Sequence, residues 1–169
     1  MKLRKVLITL NDLKKNGIIQ DYAIFGGYAV MFYDVPLSTY DLDVLVLLST
    51  KDDYHSLYEH FLAKKARIEN VYIFIEDMPV QFLPSYISPL FYNAIKEASR
   101  VKFNDLYTKF VSAEYLILFL LTSFRPKDRI RIRKLLGKVN RDALLGLIKR
   151  FDDEQRILSK RYKRVLANT

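Results

Sequence analysis

The sequence predicts an α/β fold, a mixed β-sheet flanked by helices and followed by a C-terminal helical bundle, on three observations. Short apolar runs of strand length alternate with helix-period stretches up to about residue 110. A strand, a glycine pair and a short helix follow one another without a break at residues 22–32, a compact α/β succession. Every segment beyond Ser112 has helical spacing. The expected division is therefore an α/β core over residues 1–110 and a basic helical region over 111–169, with no repeat, low-complexity tract or Gly/Ser linker between them.

Val6, Leu7, Leu10 and Leu13 recur at helical spacing, and Lys14, Lys15 and Gly17 mark the end of that first helix. Tyr22–Phe25 forms a short strand ending at Gly26 and Gly27, and Tyr28–Phe32 makes one or two helical turns. DLDVLVLL from Asp41 is a strand whose apolar residues leave no solvent face. Thr50 and Asp53 form a capping box ahead of a helix bearing Tyr54, Leu57, Tyr58, Phe61 and Leu62 on one stripe. Arg67–Ile75 is expected as one strand with Val71, Ile73 and Ile75 on a common face, Glu76–Pro79 as its turn, and Val80–Leu83 as the returning strand. Ser88 and Pro89 open a helix running to about Ala98, while Val101–Val111 reads equally as strand or linker. Ala113–Phe124 is apolar nearly all round and should be buried. Pro126 opens a second helix of the C-terminal region, Asn140 caps a third, and Asp153–Leu166 is a basic fourth. The alternation Arg129, Ile130, Arg131, Ile132, Arg133 would suit a strand, but Ile132, Leu135, Leu136 and Val139 continue at helical spacing and decide for helix.

Charge is distributed unevenly. The 169 residues carry a formal charge of +9. Residues 1–100 hold 11 basic and 12 acidic side chains, whereas residues 101–169 hold 17 and 7, so the whole excess lies in the last two fifths. Half the residues are apolar, with 12 Tyr and 11 Phe, which excludes a disordered basic tail. The chain has no Cys, which excludes disulfides, zinc–thiolate sites and a thiol nucleophile. The first residues lack the apolar length and small-residue cleavage pattern of a secretion signal. The longest apolar stretch, Tyr115 to Phe124, is about half of the ~20 residues a bilayer span needs. A cytoplasmic protein without a membrane segment is the expectation.

Asp41 and Asp43 stand two apart in an otherwise apolar strand, so their side chains share a face of the sheet. Two such carboxylates repel unless a cation lies between them, and Mg²⁺, or Mn²⁺, is the hard divalent ion that accompanies phosphates. The alternative is that both sit at the strand's start, facing solvent or capping the turn. Gly26 and Gly27 allow a phosphate to approach the backbone closely, or else simply make a turn. His55 and His60 have no acid at ligand spacing and read as surface or half-buried side chains.

The segment FGGYAVMFYDVPLSTYDLDVLV resembles the motif of the nucleotidyltransferase superfamily with a polymerase-beta-like fold, in particular its minimal members related to AbiEii-type toxins. SAEYLILFLLTSFRPKDRIRIRKLL is similar to the helical region of these proteins, so the likeness runs from Tyr22 to Leu136. The resemblance implies transfer of a nucleoside monophosphate from an NTP to a hydroxyl with two Mg²⁺ ions. It implies that Gly26 and Gly27 hold the β- and γ-phosphates, that Asp41 and Asp43 are the catalytic metal ligands, and that Arg125 and Lys127 contact the triphosphate. Asp128 would be either a helix-start acid or a link to a substrate group.

Three positions depart from the pattern: Leu37 stands where an Arg is frequent, Gln81 where a third carboxylate completes the metal site, and Leu120 where the AbiEii-like relatives carry a Lys. Gln81 can offer a carbonyl oxygen but neither charge nor general-base function. Either Glu76, Asp77 or Asp128 stands in for it, or turnover is lost. Two functional expectations follow from the resemblance and the charge. One is a metal-dependent nucleotidyltransferase that modifies a nucleic-acid end, such as that of tRNA, or a protein hydroxyl. The other is a catalytically degenerate nucleotide- or RNA-binding module with a protein partner, as in a toxin–antitoxin pair. In both, the basic C-terminal helices are the RNA contact.

Overall fold

The computed structural model describes residues 2–167. They divide into two compact units, one formed by Met1–Tyr28 with Ser38–Val111 and the other by Ala29–Leu37 with Ser112–Thr169.

The first unit is built on a seven-stranded mixed sheet of order β3-β4-β5-β2-β1-β7-β6. Its strands are β1 (Asp21–Phe25), β2 (Leu42–Leu47), β3 (Ile68–Glu69), β4 (Tyr72–Ile75), β5 (Met78–Pro84), β6 (Ser99–Phe103) and β7 (Leu106–Phe110). β1 runs antiparallel to β2 and parallel to β7, and β2 runs parallel to β5. β2 is thus central, and Leu42, Val44, Leu45 and Val46 are fully buried, as its unbroken apolar run predicts.

Helices α1 (Lys2–Lys15), α2 (Gly26–Phe32), α3 (Lys51–Ala63) and α4 (Pro89–Lys96) interleave with these strands. α1 buries Val6, Leu7, Leu10 and Leu13 and packs on β1, β4, β5 and β7. Gly17, at φ +71°, takes the left-handed turn that ends it. α3 begins at the expected capping box, in which Thr50 Oγ1 accepts from Asp53 N at 3.1 Å and Asp53 Oδ2 accepts from Thr50 N at 2.9 Å. Leu57 and Phe61 are buried on its stripe, but Leu62 faces solvent. α4 stops at Lys96, two residues short of expectation, and Ala98 leads directly into β6.

The expected single strand Arg67–Ile75 is instead a hairpin. Asn70, at φ +54°, and Val71 form a two-residue turn that sets Ile68 opposite Ile73, so Val71 sits at the tip and is exposed. Asn tolerates the left-handed region because its short polar side chain bonds locally. Val101–Val111 resolves the same way: Asn104 and Asp105 turn β6 into β7. Between β4 and β5, Glu76 and Asp77 both take positive φ, the pairing of a type I′ turn. α1 ties down two of these tips, with Lys5 Nζ 2.7 Å from Glu76 Oε2 and Arg4 Nη2 2.6 Å from Asp105 Oδ2.

The second unit holds α5 (Ala113–Ser123), α6 (Pro126–Leu135), α7 (Arg141–Phe151) and α8 (Ile157–Ala167), with α5 packed against the other three. α5 buries residues on all sides, Tyr115, Leu116, Ile117, Leu118, Leu120 and Leu121 among them. Its last turn ends at Phe124, in the left-handed region at φ 49°, and the Arg161 guanidinium donates to the carbonyls of Leu121 and Thr122 at 2.7 and 2.6 Å. Asn140 caps α7 through Ala143 N, as its sequence position predicts. α8 starts later than Asp153, because Asp152 and Asp153 are spent capping it: they accept from the backbone N–H groups of Ile157, Leu158 and Ser159. Among the described residues, no helix is long and apolar enough to cross a membrane.

Candidate active site

The first unit gathers Gly26, Gly27, Asp41, Asp43 and Gln81. Strand register does most of this work. Phe25 pairs with Asp43 across β1 and β2, Asp43 pairs with Gln81 across β2 and β5, and Gln81 pairs with Tyr72 across β5 and β4. Residues paired across strands share a face; Asp41, expected to open the strand, lies instead in the bend just before β2 and reaches this face by accepting from the Tyr72 phenol. The face therefore reads, from β2 outward, carboxylate, amide, phenol.

The glycine pair is tightly occupied. Gly26 has φ +63°, and a Cβ there would overlap Asp43 Oδ2 and lie 2.7 Å from Asp43 Cγ. A Cβ on Gly27 would lie 2.6 Å from both Cβ and Oγ1 of Thr39. The missing side chains thus let the Asp43 carboxylate and Thr39 close onto the start of α2. α2 itself begins at Gly26, not after the pair. Two hydroxyls hold Asp41, one from β4 and one from its own loop: Tyr72 donates to Oδ2 at 3.1 Å and Thr39 to Oδ1 at 3.3 Å. The bond to Asp41 raises the Tyr72 phenol above its ordinary pKa, and the charges of Asp41 and Asp43 add to the effect. Tyr72 therefore remains a neutral donor at physiological pH. Neither Tyr72 nor Thr39 stands out in the sequence as a partner of Asp41, because only the β3–β4 hairpin and the β4–β5 register bring the phenol there.

Neither Glu76 nor Asp77 stands in for a third carboxylate. Both occupy the β4–β5 turn, with Asp77 four and Glu76 five positions from Gln81, or roughly 13 to 16 Å along an extended strand. Glu76 is also paired with Lys5. Asp128 is a helix-start acid. It is fully buried at the third residue of α6, where Oδ2 accepts from Arg125 N at 3.0 Å, Arg125 Nε at 2.9 Å and Ser123 Oγ at 2.7 Å. Burial pushes its carboxyl pKa up, but these donors outweigh that and hold it below the ordinary value. Arg125 spends its guanidinium on that bond, and Lys127 is exposed on the first turn of α6. Both belong to the helical unit.

A hard divalent cation fits the pair. Asp43 on β2 and Asp41 just before it supply two carboxylates, Gln81 pairs with Asp43 and offers a carbonyl oxygen, and the space at Gly26 admits the Asp43 carboxylate. Among the described residues, no cluster of three or more His, Cys, Asp or Glu side chains is placed to hold a metal.

The architecture is a nucleotidyltransferase-like fold. The chain is similar to an antigenic nucleotidyltransferase-like protein from Paracoccidioides brasiliensis, with a TM-score of 0.62 and 15% identity over 99% of this chain and 86% of that one. It is also similar to the antibiotic-resistance factor ANT(2″)-Ia in solution, with a TM-score of 0.55 and 14% identity over 99% of this chain and 98% of that one. The crystal structure of ANT(2″)-Ia in complex with adenylyl-2″-tobramycin gives 0.53 and 13% over 96% and 98%. No protein-family model and no curated protein sequence matches the chain.

Proposed function

We propose that the chain binds a nucleoside triphosphate with Mg²⁺ or Mn²⁺ and transfers its nucleoside monophosphate to a hydroxyl of an anionic acceptor, a nucleic-acid end such as that of tRNA. The observation that carries this reading is that the Asp43 carboxylate on β2 is seated in the space left by Gly26, while Asp41, just before β2, accepts from the Tyr72 phenol of the same face. Asp41 and Asp43 are the proposed cation ligands, and the phosphates are proposed to rest against the Gly26–Gly27 backbone beside Asp43 and Thr39, which already fill the side-chain space there. A divalent cation held there supplies charge neutralisation of the triphosphate and of the departing pyrophosphate. Tyr72 and Thr39 fix the orientation of Asp41 through its two oxygens.

Charge supports the choice of acceptor. Residues 112–169 carry 15 Lys and Arg against six acids, a surface that attracts a polyanion and repels a polyamine such as tobramycin. Arg125 and Lys127 are proposed anion contacts of this helical unit. Gln81 favours a second reading, a nucleotide- or RNA-binding module without turnover, because the face lacks a carboxylate to accept the acceptor's proton. One experiment separates the two: each labelled NTP is supplied with Mg²⁺ or Mn²⁺ and total cellular RNA, to the native chain and to Asp41→Ala, Asp43→Ala. Label transferred only by the native chain supports the enzyme. No transfer above the double variant overturns it in favour of the binding module.

A further inference from the structure

The charge of the carboxylate face limits how many cations it can hold, an argument that rests on the nucleotide reading of Asp41 and Asp43. Beside Asp43 the face continues with Gln81 on β5 and Tyr72 on β4, and the Tyr72 phenol is itself a hydrogen-bond donor to Asp41. On the other side Asp43 is paired with Phe25 of β1. The strands β5, β4 and β1 therefore add an amide, a phenol and an aromatic ring, none of them anionic. Glu76 is held by Lys5 at the distant β4–β5 turn, and the described residues offer no third acid to the pair.

Two carboxylates balance one divalent ion. Without nucleotide, a second ion about 4 Å from the first, the spacing of two-metal sites, would set four positive charges against two negative ones. A glutamine carbonyl can ligate but contributes no charge to that balance. Asp41 has also given part of its acceptor capacity on each oxygen to Thr39 and Tyr72. We infer that the nucleotide-free site takes one divalent cation, not two, and that Gln81, opposite Asp43 on β5, sets the count. A cation there would be held by Asp41 and Asp43 and would supply charge neutralisation beside the phosphates.

Gln81 is half-buried on the face, so Glu replaces it with the same shape and one added charge. The test counts bound Mn²⁺ per chain by electron paramagnetic resonance of the free ion, on the full chain without nucleotide. The native chain should bind one, Gln81→Glu and Gln81→Asp two, Gln81→Ala one, and Asp41→Ala, Asp43→Ala none. The two-ion variants should also show the exchange-broadened spectrum of a coupled Mn²⁺ pair, which a merely structural effect of the substitution would not produce. Two ions on the native chain would overturn the inference and leave the nucleotide reading standing. One ion on the native chain and on both acidic variants, with circular dichroism unchanged, would overturn the role of Gln81. A count unchanged in the double variant would overturn the inference and the nucleotide reading together.

Discussion

Gly26 shows how much a single residue settles here. Its φ of +63° is the left-handed region, which an L side chain enters at a cost of about 1–2 kcal/mol. Its absent Cβ is also the space into which the Asp43 carboxylate folds. Gly26→Ala should therefore lower stability by at least about 1 kcal/mol, seen as a lower thermal midpoint by circular dichroism, and should weaken Mn²⁺ binding by displacing Asp43. A variant with native midpoint and native Mn²⁺ affinity would show that the close approach of Asp43 has no consequence. The sequence already marked Gly26, Gly27, Asp41 and Asp43 as the candidate site. It could not indicate that the space at the glycines is filled by Asp43 and Thr39, because that contact depends on the β1–β2 register and on the path of residues 38–40. Tyr72 was hidden for the same reason: one residue of slip in β4 would turn its phenol to the other face.

At the scale of the element, capping signals and the β4–β5 hairpin are legible in the sequence, whereas the hairpins at Asn70–Val71 and Asn104–Asp105 are not. Thr50, Ser88 and Asn140 each cap the helix that follows them, because the residue types that bond a free backbone N–H are visible in any sequence. The three strand turns Asn70–Val71, Glu76–Asp77 and Asn104–Asp105 contain no glycine, and all three first positions take positive φ without it. An apolar residue at the turn tip, Val71, then extends the apparent strand across it. α6 carries a cap whose strength depends on pH. The Asp128 carboxyl, held below its ordinary pKa by Arg125 and Ser123 against the opposing effect of burial, stabilises the fold above the unfolded-state value of 3.8. That contribution is lost as pH falls from 3.8 through the lower folded value. Asp128→Asn should cost about 1–3 kcal/mol at pH 7, by urea denaturation, and the gap from the native chain should close toward pH 3. An equal gap at both pH values would mean that the carboxylate charge contributes nothing to the cap.

For the molecule as a whole, the mixed sheet and the helical region beyond Ser112 were legible from periodicity alone, since β2 and α5 are apolar enough to admit no exposed face. The chemistry was legible only as a pair of acids and a glycine turn, because the neighbours that decide its capacity come from β4 and β5, about 30 to 40 residues further along the chain. The charge follows the same division. The residues that bear Asp41 and Asp43 are nearly neutral overall, and the cationic excess belongs to the helical region, which is why the proposed acceptor is anionic. The central claim is that Asp41 and Asp43 hold a nucleotide through a divalent cation. Its most direct test is calorimetric titration of the full chain with ATP, GTP, CTP and UTP in turn, with Mg²⁺ and again with EDTA. At least one nucleotide should bind saturably with Mg²⁺ and lose at least about tenfold in affinity with EDTA or in Asp41→Asn, Asp43→Asn, a difference of about 1.4 kcal/mol. Absence of binding by all four, or binding that neither EDTA nor the double variant weakens, would contradict the claim.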